Sequence, residues 1–198
     1  PLIVVNRNER KFYDADYFKE EIRKQLNKEL GSKSLYEEGL IIKTSINTKL
    51  QKIINKVLVQ GLIDQDKKNG WRGAIANQKV SISLRDYSKN YINPFPNYWN
   101  IYQVLSSEDK LLKVRDESNK QYFINLTFDA NKWLLKEKFK KGDIFYANFK
   151  DSELVINQIP EVNGAIVAIE PHTGKVLALS GGFSFKLSEF NRVTQAKR

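Results

Sequence analysis

Apolar residues recur along this chain with two different periods, and the change from one to the other divides it. Phe18, Ile22, Leu26 and Leu30 fall four apart, with Glu20, Glu21, Arg23 and Lys24 elsewhere, which predicts an amphipathic helix. Asp14 or Asp16 is placed to accept the free N–H groups of its first turn, and Gly31 to end it. Residues 40–46 (LIIKTSI) are rich in β-branched side chains and predict a strand. Asn47 or Thr48 then caps a second helix running to about Asp66, with Leu50, Ile53, Ile54, Val57, Leu58 and Leu62 on its apolar face. Gly61 within it costs about 1 kcal/mol relative to alanine, so close packing is expected there. The opening residues 1–13 read as a connector or a short edge strand.

From Trp71 to Ile159 the helical period is lost, and short β-prone runs take over at 100–105, 110–115, 121–126, 143–149 and 153–159. Polar turn sequences separate them at 106–109, 116–120, 141–143 and 150–152. Several short strands at this spacing predict a small five-stranded barrel of the OB type, with Trp99, Tyr122, Phe123, Trp133, Phe145 and Phe149 as its core. The prolines of residues 93–97 (NPFPN) predict an extended connector before it. Two further apolar runs, 164–169 (GAIVAI) and 175–180 (KVLALS), flank a turn in which Pro171 presets φ and Gly174 supplies a positive φ. These runs do not alternate polar with apolar, so both faces of the hairpin are expected to be covered. The second helix is expected to pack on this hairpin rather than on the barrel.

Composition and charge add limits. With 41% apolar and 12% aromatic residues, the chain holds enough to build a core. No run of 18 apolar residues suggests a transmembrane segment, and Pro1 does not begin a signal-peptide pattern. The absence of cysteine excludes disulfides and thiolate zinc sites within the chain. The net charge of +10 comes mostly from scattered lysines and predicts a weak general attraction to polyanions, not specific nucleic-acid binding. The densest basic run is Lys132, Lys136, Lys138, Lys140 and Lys141, interleaved with Trp133, Leu134, Leu135 and Phe139 as an amphipathic segment. Trp71, Tyr98, Trp99 and Tyr102 would form a stacking platform for bases or sugars if exposed, but core packing is the preferred expectation.

Catalytic chemistry is sparse. His172 is the lone histidine and sits in a turn, so neither a metal centre nor a Ser-His pair is expected, and no cofactor is implied. Thr173-Gly174-Lys175 carries the residues of a K-T-G element in reverse order and reads as a hairpin turn.

The end of the chain is its most specific part. The hairpin leads to Gly181 and Gly182, and then to Phe190-Asn191-Arg192-Val193-Thr194-Gln195-Ala196-Lys197-Arg198. This resembles the start of the transpeptidase domain in class A, bifunctional penicillin-binding proteins of Gram-negative bacteria, where GG is followed by FNRATQA-R. Val193 stands where alanine is usual. Further upstream, residues 17–23 (YFKEEIR), 35–40 (LYEEGL), 49–51 (KLQ) and 70–73 (GWRG) are similar to family motifs in the same order.

The resemblance implies an α+β architecture in three parts. Residues 1–69 would be an interdomain connector with two helices and a strand. Residues 70–158 would be a small OB-like five-stranded β-barrel, and 159–198 the truncated start of a transpeptidase domain. Gly181, Gly182, Phe190, Asn191, Arg192, Gln195 and Arg198 would lead towards the active site, with the nucleophilic serine about four residues further on. The chain alone would then be inactive. It would form part of a periplasmic, inner-membrane-anchored synthase that polymerises and cross-links peptidoglycan. Its expected partners are the remainder of that synthase and a regulatory envelope protein, with peptidoglycan precursor or glycan reached only through the parent. The alternative class is an OB-fold module that binds single-stranded nucleic acid.

Overall fold

The computed structural model describes residues 15–88 and 99–197. Residues 1–13, Asp14, the 93–97 connector, Tyr98 and Arg198 lie outside that range. In chain order the elements are α1 (Asp16–Glu37), α2 (Thr48–Lys68), β1 (Ala76–Asn77), α3 (Leu84–Ser88), β2 (Asn100–Glu108), β3 (Leu111–Arg115) and β4 (Gln121–Asn125). A 3-10 turn (Asp129–Leu134), β5 (Asp143–Lys150), β6 (Glu153–Asn157), β7 (Ile166–Ile169) and β8 (Val176–Ser180) complete them. The protein is mixed α+β with antiparallel sheets. It divides into two compact units, one of residues up to Gln60 together with those from Asn163 onward, the other of Gly61–Val162.

In the first unit, α1 begins after Ala15 without a side-chain cap. Asp16 lies inside the first turn, where its carboxylate pairs with Lys19 at 3.0 Å, so it does not serve as the expected cap. The helix breaks at Gly31, whose φ of 80° and ψ of 161° are extended and left-handed, and a short helical stretch follows. Asn47 is the cap of α2, its Oδ1 accepting from Lys49 N and Leu50 N at 3.1 Å each. The buried stripe of α2 runs through Gln51, Ile54, Leu58 and Leu62, while Ile53 and Val57 are exposed. The stripe is therefore rotated from the one that apolarity alone outlines, because a glutamine occupies its first position. Gly61 has nothing within 4 Å of where a Cβ would sit, so close packing is not its role.

Residues 40–46 form no ladder, contrary to the expected strand. Ile41 is 90% exposed, and the segment meets β8 through isolated bonds only, Ser45 Oγ donating to Val176 O at 2.6 Å and Asn47 N to Leu177 O at 2.8 Å. Strands β7 and β8 form the expected hairpin, pairing Ile166 with Ser180 and Ala168 with Ala178. Its turn is closed by Glu170 N to Lys175 O and Gly174 N to Glu170 O, with Gly174 at φ 70°. The Glu170 carboxylate accepts from the Thr173 hydroxyl and from the His172 and Thr173 N–H groups, which holds its pKa below the usual range. Strand β8 is buried at Ala178, Leu179 and Ser180. β7 instead alternates and leaves Val167 and Ile169 exposed, so the hairpin is not covered on both faces among the described residues.

In the second unit, β2, β3 and β4 form a meander, β5 returns to pair with β2, and both β1 and β6 pair with β5. The sheet order is β1-β5-β2-β3-β4 with β6 attached to β5, and no ladder joins β4 to β6 among the described residues, so the sheet does not close into a barrel. Asn131 of the 3-10 turn bridges that gap. Wholly buried, it donates to Asn125 O and Leu154 O at 3.2 and 2.8 Å and accepts from Ile156 N at 3.0 Å. Val104, Leu112, Val114, Ile124, Phe145 and Ile156 fill the core. Phe123 and Phe149, expected there, are 58% and 53% exposed. Strand alternation is the reason for Phe123, since its neighbour Ile124 takes the inward position of β4.

Candidate functional site

The motif after β8 folds back onto α1, although nearly the whole chain separates them in sequence. Gly181 and Gly182 allow the approach. A Cβ on Gly181 would lie 2.8 Å from Asn191 Cγ, and one on Gly182 would lie 2.6 Å from the Tyr17 hydroxyl and 3.1 Å from the Arg192 guanidinium. A side chain at Gly181 would meet the Asn191 main chain, and one at Gly182 would have to displace the Tyr17 hydroxyl. Tyr17, facing Gly182, donates from its hydroxyl to Ser188 O at 2.7 Å and meets Phe185 edge-on at 5.0 Å. Burial pushes the Tyr17 phenol pKa up, against the opposing pull of the Arg192 charge.

Asn191 is the centre of the segment. It is 1% exposed. Its Nδ2 donates to Glu21 Oε1 on α1 at 3.0 Å, its Oδ1 accepts from Val193 N at 3.0 Å, and its N–H donates to Gln195 Oε1 at 2.7 Å. Arg192 returns the strand end through its N–H to Gly181 O at 3.1 Å, and its guanidinium lies 5.4 Å from the Phe190 ring. Thus Gly181, Gly182, Phe190, Asn191, Arg192 and Gln195 are brought together, while Arg198 lies outside the described residues. Reading the sequence overlooked three residues that complete the arrangement: Glu21, Gln51 and Asn163, whose Oδ1 accepts from Phe183 N and Gly164 N. Glu21 stands inside the 17–23 match and Gln51 inside the KLQ match, and those matches are the available signal.

A second polar cluster lies in the other unit, built on the GWRG stretch. Asp66 is 1% exposed and receives Arg72 Nη1 at 2.9 Å on both oxygens, Gln158 Nε2 at 2.8 Å and Glu161 N at 3.0 Å. Arg72 also donates to Ile159 O at 2.6 Å, and its Nε lies 3.2 Å from Glu161 Oε1. The side chains of Asp66, Arg72 and Gln158 bond to the backbone or to another member of the cluster, which marks it as a structural clasp.

Among the described residues the aromatic platform does not form, Tyr98 lying outside them. Trp99 and Tyr102 are 4% and 2% exposed, and Trp71 is taken up by Trp133 at 5.7 Å and Phe139 at 5.9 Å. Among the described residues, no three acidic or histidine side chains converge as a metal site, and no helix is long and apolar enough to cross a membrane.

No family model matches the chain. It is 35% identical over its whole length to penicillin-binding protein 1A of Rickettsia bellii, covering 26% of that protein. It is 27% identical over 94% of its length to penicillin-binding protein 1A of Escherichia coli, covering 24% of it. The crystal structure of penicillin-binding protein 1A from Haemophilus influenzae superposes with a TM-score of 0.77 over 92% of this chain and 28% of that one, at 24% identity. The chain thus spans about a quarter of the length of the relatives it matches.

Proposed function

Because the chain belongs over its whole length to the class A penicillin-binding proteins, we propose that it is a non-catalytic stretch of a bifunctional peptidoglycan synthase that positions the catalytic domains. In this reading, residues 1–69 are the interdomain connector, 70–158 an OB-like domain, and 159–198 the first strands of the transpeptidase domain. The OB-like assignment is supported by strand order, since β2 pairs with both β3 and β5, β6 follows on β5, and a short helical turn lies between β4 and β5. This domain would receive a regulatory envelope protein, and the whole would reside in the periplasm as part of a membrane-anchored parent. Glycan and precursor would be met through that parent.

One observation carries the reading. The motif from Gly181 to Gln195, α1 and the part of α2 up to Gln60 form a single unit, although the entire second unit, which begins at Gly61 within α2, lies between them in sequence. A connector built in this way hands its own placement to whatever continues from the motif.

Fluorescent penicillin tests it. The complete gene product should be labelled covalently, as the name of its relatives implies, and the 198-residue chain should not. An adduct on any serine of the chain would contradict the non-catalytic assignment, and an unlabelled complete product would contradict the functional one.

A further inference from the structure

The turn over residues 191–195 is closed on itself, but only one polar atom of Asn191 aims at α1. Its Oδ1 and N–H serve Val193 and Gln195, and its carbonyl accepts from Gln195 N at 2.8 Å. What remains is Nδ2, bonded to Glu21 Oε1 at 3.0 Å. The Asn191 side chain occupies the space beside Gly181 that a Cβ there would take. Next to this bond, however, α1 and the turn face each other across an open groove of about 450 Å³ whose walls include Phe18, Ile22, Gln25 and Thr194. Without the Glu21 acceptor, the turn has room to shift into that groove.

We propose that Glu21 is a positioning residue for penicillin acylation in the complete synthase. It acts through Asn191 to set the direction in which the chain leaves Gln195. This rests on the functional reading above. The interaction requires an acceptor oxygen and not a charge, since an amide oxygen in the same place would receive Asn191 Nδ2 equally. Lys24 Nζ lies 3.7 Å from the same Oε1 in a partly exposed pair along one helix face, a contact of the kind that contributes little and that the Asn191 bond does not need.

Acylation of the complete gene product is measured over a range of fluorescent penicillin concentrations, separating the saturating rate from the half-saturating concentration. Misplacement of a reacting segment by a fraction of an ångström lowers rate more than affinity. Glu21→Ala is therefore expected to lower the saturating rate by about tenfold or more, with the half-saturating concentration little changed. Glu21→Gln should restore the rate to about that of the unsubstituted protein. An unchanged rate in Glu21→Ala would overturn the proposal, as would a loss that Glu21→Gln shares or one confined to the half-saturating concentration. An unsubstituted product that does not react at all would instead overturn the functional reading on which the proposal stands.

Discussion

Gln51 on α2 makes two hydrogen bonds to the main chain of Leu179 on β8, accepting from its N–H and donating to its carbonyl, each at 2.9 Å. Leu179 presents both groups on the side away from β7, where a third strand would ordinarily take them. One side-chain amide does that strand's work. It is held in place by a further bond from its Nε2 to Asn55 Oδ1 at 2.9 Å, and it is 1% exposed.

Replacing it should therefore cost more than the loss of an average hydrogen bond. Gln51→Leu keeps the size but leaves two buried main-chain groups unpaired, a loss of about 2–3 kcal/mol. Urea denaturation of the chain measures this, and a loss below about 0.5 kcal/mol would show that water replaces the amide.

The clasp of Asp66 and Arg72 gives a second expectation. Arg72→Met removes the cation while the Asp66 carboxylate stays buried, held among the described residues by Gln158 Nε2 and Glu161 N. The expected loss is about 3 kcal/mol, since breaking one side of a buried ion pair strands the other. Asp66→Asn together with Arg72→Met should lose less than the sum of the two single changes, which a double-mutant cycle reads directly.

Much of this architecture was legible in the sequence, and the parts that were not share a physical cause. Five of the six strands of the sheet unit, β2 to β6, lie within a few residues of the expected runs, whereas the two-residue β1 matches none of them, and the hairpin turn is where Pro171 and Gly174 placed it. Hydropathy reports such elements well because each repeats its pattern over several residues. Gln51, Asn131 and Glu21 are single polar residues with no period of their own. Each looks like a surface residue until the groups it pairs with are known, main-chain ones for Gln51 and Asn131 and the Asn191 side-chain amide for Glu21. Residues 40–46 failed in the opposite direction. Their β propensity is genuine, but propensity does not provide a partner, and Ile41 stays exposed without one.

Tyr17 predicts a dependence on pH. Its phenol pKa is raised in the folded chain, chiefly by burial. The protonated form is thus favoured by folding, so its contribution is fully present below the unfolded value near 10 and is lost as pH rises through the folded value. Tyr102 is raised by burial as well and contributes in the same direction. Stability should fall above about pH 10, and Tyr17→Phe should reduce the steepness of that fall. The same change should cost about 1 kcal/mol at neutral pH through the lost bond to Ser188 O. Denaturation curves at neutral and alkaline pH compare the two slopes, and identical slopes would contradict the assignment.

The most direct test is of the division into two units. Leu179 is 5% exposed and packs with Tyr17 and Phe18 in the core of the first unit. Hydrogen exchange read by mass spectrometry on Leu179→Asp should show protection lost from residues 15–60 and 163–197, because a buried unpaired charge is not tolerated there. Strands β2 to β6 should keep theirs, since their core is their own. If the substitution strips protection from both sets of residues in one cooperative step, the motif, α1 and the part of α2 up to Gln60 do not form the separate unit described here.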